Sequence, residues 1–298
     1  MRRFLQTNST PAVRVLAAAL CLAFSMTLAA RAEAPRDLVF GIVPQQSATR
    51  LAQVWVPLLN HLSERTGRTI SFATAKDIPT FEACLARGAY DFAYMNPYHY
   101  TVFHETAGYR AFARQSKKQL KGIMVARKDS AIGGVADLNG EKVAFPSPAA
   151  FGASVLPRAE MSASGIAIEP VYVKSHDSVY RAVAAGIFPA GGGVVRTFNN
   201  VDPAVRDQLK IIHQTDEYTP HAFAAHRDVP AATADAVADV LLQAAERAPA
   251  LLKPLGMKGF EKADDAGWDD VRALNLTRAE TQIISGQAAQ CRFGSKQS

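Results

Sequence analysis

"SATRLAQVWVPLLNHLSERTG", residues 47–67, lies between two short apolar runs, "LVFGIV" at 38–43 and "TISFAT" at 69–74. In the long stretch, Leu51, Val54, Trp55, Leu58, Leu59 and Leu62 recur at i, i+3, i+4, i+7, i+8 and i+11. That spacing is one apolar face of a helix. Gly67 follows as a C-cap. The flanking runs are short, β-branched and aromatic, which reads as buried strand. "IPTFEACLARGAY" (78–90) adds a short helix, with Thr80 as its expected N-cap and Gly88 as its stop. "DFAYM" (91–95) adds a third strand. The resulting βαβαβ run predicts an α/β fold whose parallel strands are covered by helices.

A second unit of the same kind follows. "LKGIMVARKDS" (120–130), the end of "ADLNGEKVAF" (136–145), "EPVYVKS" (169–175), "AGGGVV" (190–195) and "KIIHQT" (210–215) read as strands. "AAFGASVLPRAEMSASG" (149–165) reads as a helix despite Pro157 inside it, and "HDSVYRAVAAG" (176–186) as a helix capped by Ser175. Asp202 and Pro203 open another at N-cap and N1. After residue 228 the pattern is mostly helical, and the tail from 288 has no periodicity. No low-complexity linker separates the units, so two lobes joined by more than one crossing are expected.

Bulk properties narrow the function. Residues 1–32 carry Arg2, Arg3, Arg14 and Arg31 and no acid. Without them, 29 basic residues face 27 acidic ones, so the net charge of +6 reflects the leader rather than a nucleic-acid surface. The charged start, the apolar run Val15 to Phe24 and the small-x-small Ala30-Arg31-Ala32 predict a cleavable signal peptide over 1–32. Cleavage after Ala34 is the alternative. The apolar run is short for a membrane span of about 20 residues. A periplasmic or extracellular location follows, where Cys84 and Cys291 either pair or remain two free thiols.

Enzyme signatures are absent from the pattern. "FGASV" around Ser154 lacks the nucleophile elbow. His99 and His104 are five apart, off the i, i+4 spacing of a helical metal pair. Cys84 has no His in its motif. The reading is a binding protein with no cofactor and no metal.

The ordered set "GIVPQQSATRL", "PLLNHLSERTG", "FEACLARGAYDFAYMNPYHY", "DSAIGGVADLNGEKVAFPSP", "VKSHDSVYRAVAAG" and "YTPHAFAAHRDVP" resembles the phosphate/phosphite/phosphonate substrate-binding proteins of ABC transporters. The likeness spans roughly 38–275. It implies a type II periplasmic binding fold: two lobes, each a mostly parallel sheet flanked by helices, joined by two hinge crossings near 121–127 and 213–226. Lobe one would take 33–120 and 219–298, lobe two 121–218. A monomer would capture a small oxyanion in the interlobe cleft. Its partner would be a membrane permease, or alternatively a sensor protein reading a non-phosphonate anion.

The resemblance also assigns site residues. Tyr94 would contact the ligand, with Asn96 and Pro97 shaping the turn and Tyr98 nearby. A phenol donates to an anion without carrying charge. The helix start at 145–154 would hold the anion through backbone N–H groups, with Ser147, Ala150 and Ser154 around it. Here Ala149, Ala150, Phe151 and Gly152 stand where the family has a Ser-Thr-Ser-Gly run. Ser175 and His176 open a third helix start, where an anion would bias His176 toward its charged form. Pro189 replaces a family acid, which argues against an amine ligand. Gly191, Gly192 and Gly193 would let backbone approach closely, and Arg196 adds positive charge. Gln45, Gln46 and Ser47 are either donors from lobe one or a solvated cap.

Overall fold

The computed structural model describes residues 36–276 and Cys291. The expected signal peptide and most of the C-terminal tail lie outside the described residues. Five segments open the fold: β1 (Leu38–Ile42), α1 (Ala48–Thr66), β2 (Ile70–Ala73), α2 (Ile78–Ala86) and β3 (Phe92–Met95). The six residues of the predicted apolar face are the six buried residues of α1. Each such side chain contributes about 1.5–3 kcal/mol on leaving water. Ser47 caps α1 by accepting from the Arg50 N–H, and Gly67 ends it in the left-handed region at φ 65°. In α2 the cap is Asp77, not Thr80: the Asp77 carboxylate accepts from the Thr80 N–H at 2.9 Å. A carboxylate at that position also meets the positive end of the helix.

α3 (Pro97–Ala107) and β4 (Arg110–Gln115) complete the first half of lobe one, and β5 (Gly122–Arg127) and β6 (Lys142–Phe145) begin the second sheet. α4 (Leu156–Ala163), β7 (Glu169–Tyr172), α5 (His176–Ala184), β8 (Ala190–Val194), α6 (Val195–Asn200), α7 (Pro203–Arg206) and β9 (Leu209–Gln214) follow. The chain then returns through β10 (Ala222–Ala225), α8 (Ala231–Leu242) and β11 (Phe260–Lys262). The strands form two sheets, ordered β11-β4-β10-β3-β1-β2 and β7-β6-β8-β5-β9. Both are mixed. β1 runs parallel to β2 and β3, and β6 parallel to β7 and β8. β10 and β5 run antiparallel to their neighbours. The reason is topological: parallel neighbours arise from βαβ crossovers, whereas β5 and β10 enter their sheets from the other one.

The chain passes between the sheets at 116–121 and again at 215–221. These crossings bond to each other: the Leu120 N–H donates to the Tyr218 carbonyl at 2.7 Å, and the Tyr218 N–H returns to Leu120 at 3.0 Å. The larger apolar core underlies the first sheet. Alternate residues of β5 serve two smaller cores, Ile123 and Val125 in one and Met124 in the other. That is the two-face periodicity of a strand covered on both sides.

The helix expected at 149–165 begins as a π-turn over Phe151–Val155 and becomes α-helical only at Leu156. Pro157 therefore sits in the first α-turn, where its missing N–H is harmless. β4 and β11 were not foreseen, because neither alternates cleanly. Cys84 in α2 is disulfide-bonded to Cys291, which resolves the open alternative.

Candidate functional site

Tyr94 is the third residue of β3, at the carboxyl end of a parallel strand, where open α/β sheets bind ligands. Its ring packs on Trp55 and Phe223, centroids 4.7 and 4.8 Å away, and stacks on His221 at 5.0 Å. The Arg196 guanidinium lies 5.6 Å above it. Burial raises the phenol's pKa, opposed by Arg196, so the hydroxyl stays a neutral donor. Asn96 caps α3 by accepting from the His99 N–H at 2.7 Å. Its amide crosses to the other lobe and donates to the Ala149 carbonyl at 3.1 Å.

The facing wall is built from 147–155. The Ala150 carbonyl accepts N–H groups from Ala153, Ser154 and Val155, at 3.1, 2.7 and 3.3 Å. One carbonyl serving three donors marks the widened first turn, a feature frequent at functional sites. Two glycine strands make room for it. A Cβ on Gly192 would lie 1.9 Å from the Ala153 carbonyl oxygen, and one on Gly122 2.0 Å from that of Gly152. Gly193 likewise admits the Tyr180 hydroxyl. The close approach expected of the glycines is thus first to the protein's own π-turn and to Tyr180.

The third wall is the start of α5. The Ser175 hydroxyl accepts from the Ser178 N–H at 3.1 Å and pairs with the Ser178 hydroxyl at 2.8 Å. It is committed to the cap and not to the cleft. The His176 N–H reaches across to the Gln45 carbonyl at 3.2 Å. The residue is only 2% exposed. Nδ1 lies 3.1 Å from Thr197 Oγ1. Burial, reinforced by Arg196, pushes the His176 pKa down to about 3. Desolvation and a neighbouring cation thus hold His176 neutral, a direction opposite to the bias that a bound anion would exert.

Arg196 turns toward the cleft and donates to Gln45 Oε1. Gln45 Nε2 then faces His221 Nε2 at 3.1 Å. An amide N–H₂ is donor only, so His221 accepts through Nε2 and carries its proton on Nδ1. Burial and Arg196 hold His221 well below the ordinary histidine range. Nothing local in "TPHAFAAH" marks His221; it enters the site because β10 returns beside β3. Thr197 and Asp177 were also missed. Asp177 accepts the Ser47 N–H across the seam at 3.4 Å.

Three predicted residues share a distinctive state. Gln46, Ser147 and Ser154 are 5%, 1% and 0% exposed. Their Nε2 and two Oγ atoms have no hydrogen-bond partner among the described residues. Ala150 is buried beside them, and Tyr98 is buried in the first turn of α3. Tyr100 points away and bonds Asp265 at 2.9 Å. The seam keeps a residual cavity of about 10 Å³, bordered by Gln45, Asn96, Ala150, His176 and His221. That holds about one water, so admitting a larger solute requires the lobes to part. Neutral donors, helix-start N–H groups and one guanidinium suit reversible capture of an anion. Among the described residues no group of three His, Cys, Asp or Glu could hold a metal.

Comparison with known proteins bears on the fold and the family. A curated relative, the phosphate-import protein PhnD of Mycolicibacterium smegmatis, is 23% identical over 86% of this chain and 85% of its own. The binding-protein component of a phosphonate ABC transporter from Pseudomonas aeruginosa superposes with a TM-score of 0.74 at 18% identity, covering 84% of this chain and 88% of that one. PhnD1 of Prochlorococcus marinus, solved with methylphosphonate, superposes at 0.75 and 16% identity, covering 84% and 100%. These likenesses show the periplasmic-binding-protein fold. Residues 40–268 match the sequence model of one family, described as "ABC transporter, phosphonate, periplasmic substrate-binding protein", and the chain belongs to that family.

Proposed function

We propose that the protein captures a small phosphonate- or phosphate-like oxyanion between its lobes and presents it to the membrane permease of an ABC importer. The observation that carries this reading is the set of buried donors without partners, Gln46 Nε2, Ser147 Oγ and Ser154 Oγ. An unsatisfied buried donor costs about 1–3 kcal/mol. Such a cost is retained where a ligand removes it. Tyr94 adds a neutral hydroxyl, and the first N–H groups of the π-turn lack intrahelical acceptors. The names of the relatives, a phosphate importer and a methylphosphonate complex, support the same class. The role is binding without turnover, in the periplasm, as a monomer.

The lobes close on the ligand about the bonded crossings at 116–121 and 215–221. A thermal-shift panel on the mature protein tests the proposal. It uses phosphate, phosphite, alkylphosphonates, aminophosphonates, sulfate and small dicarboxylates. A solute at a hundred times its dissociation constant adds about 2.7 kcal/mol. At least one oxyanion is expected to stabilise the protein, and Tyr94→Phe or Ser147→Ala to shrink that shift. Silence from every anion, with a response to a neutral or cationic solute, would overturn the reading.

A further inference from the structure

Beside the seam lies a larger hollow of about 410 Å³, within the range of small-molecule pockets. Val194 and His221 border both spaces, so the hollow continues from the cleft. Tyr94 and Arg196 line it too, and Lys117, Lys118 and Lys121 come from the first lobe crossing. Among the described residues Glu217 is the one carboxylate lining it, and it pairs with Lys121 at 3.0 Å. Lys117 and Lys118 pair with no carboxylate among the described residues. Four cations thus face one acid in a concave space. Concave walls of one sign concentrate the field.

A phosphonate headgroup needs far less room than this. We propose that the hollow is a second anion subsite, so that the preferred ligand carries a second acidic group: a phosphonocarboxylate or another doubly anionic phosphonate. This rests on the oxyanion reading above. The headgroup occupies the seam, and the second anion meets Arg196, Lys117 and Lys118. The same charge disfavours an aminophosphonate, whose ammonium would enter a net positive space where Glu217 is already paired with Lys121. Pro189 does not supply a second acid.

The test is calorimetric titration of the mature protein with methylphosphonate, 3-phosphonopropionate and 2-aminoethylphosphonate. It is repeated with Lys117→Asn combined with Lys118→Gln. Asn is chosen because Lys117 sits at φ 50°, a conformation Asn tolerates. Both lysines are exposed, so the pair of changes leaves the core untouched. Phosphonopropionate is expected to bind about tenfold or more tighter than methylphosphonate, an increment of about 1.4 kcal/mol. The double variant brings that ratio to about one, and salt narrows it in the parent. Methylphosphonate binding with no carboxylate advantage, or an advantage that survives in the variant, overturns the subsite alone. Failure of every phosphonate, methylphosphonate included, overturns the subsite, and failure of phosphate, phosphite and sulfate as well overturns the oxyanion reading with it.

Discussion

Gly192→Ala puts the π-turn to the test. The added Cβ would stand 1.9 Å from the Ala153 carbonyl oxygen and 2.6 Å from Phe145 Cδ1. Real Cβ atoms essentially never come within 3.0 Å of another heavy atom, so something must shift. The nearest obstacle is backbone and cannot rotate aside. Phe145 is itself fully buried. The turn that carries Ser154 must therefore move outward. Overpacking of this kind costs about 1–3 kcal/mol, or roughly 2–12 °C in Tm for a domain of this size. The control is Gly134→Ala. Gly134 has extended backbone, φ −161°, and nothing within 4 Å of a built Cβ. That change is expected to be neutral or to stabilise by about 0.4–1 kcal/mol through the unfolded chain. Urea melts give stability, and melts repeated with the best oxyanion give the ligand-induced shift. Gly192→Ala should lose both stability and much of that shift. A Gly192→Ala protein that matches the control in midpoint and ligand response would refute the claim that the β8 glycines exist to admit the turn.

Three further outcomes follow from the same structure. His176 is neutral when folded, with a pKa near 3 against about 6.5 unfolded, so its contribution is complete above about pH 6.5 and lost as pH falls toward 3. Within that window His176 alone gives a slope approaching about 1.4 kcal/mol per pH unit, and His221, also held low, adds to it; urea midpoints at pH 7, 6 and 5 should fall, and His176→Gln should make that fall shallower. Reducing the Cys84–Cys291 bond, or Cys291→Ser, should cost roughly 2–4 kcal/mol, read as equal losses in thermal melts of the reduced parent and the variant. Leu58→Ala, at a fully buried position of α1, should cost about 2–5 kcal/mol by urea denaturation without changing the ligand specificity.

Local signals carried much of the fold. The periodicity of 51–62 named the buried face of α1, because a helix folded against a sheet has one dry side and the spacing records it. The Ser175 cap was legible, whereas at Asp77 the reading fell on Thr80, three residues on, which donates its N–H to the cap instead of serving as it. β4 escaped because its residues are half-buried on both faces, so no alternation survives. The mixed pairing escaped because strand direction is set by where the chain has been, which no window of residues records.

In the site, the family resemblance, with residue type, nominated Tyr94, Gln46, Ser147, Ser154, His176 and Arg196. Type and spacing alone determined the α/β class, the near-neutral balance of residues 33–298 and the helix starts that can face an anion. Only the tertiary structure decided what those groups are. It spent Ser175 on a cap, turned Arg196 inward onto Gln45, brought His221, just before β10, against Tyr94 and held His176 neutral. Periodicity is a property of neighbours along the chain. Desolvation and charge come from neighbours across the seam, more than a hundred residues away in the case of Gln45 and Arg196.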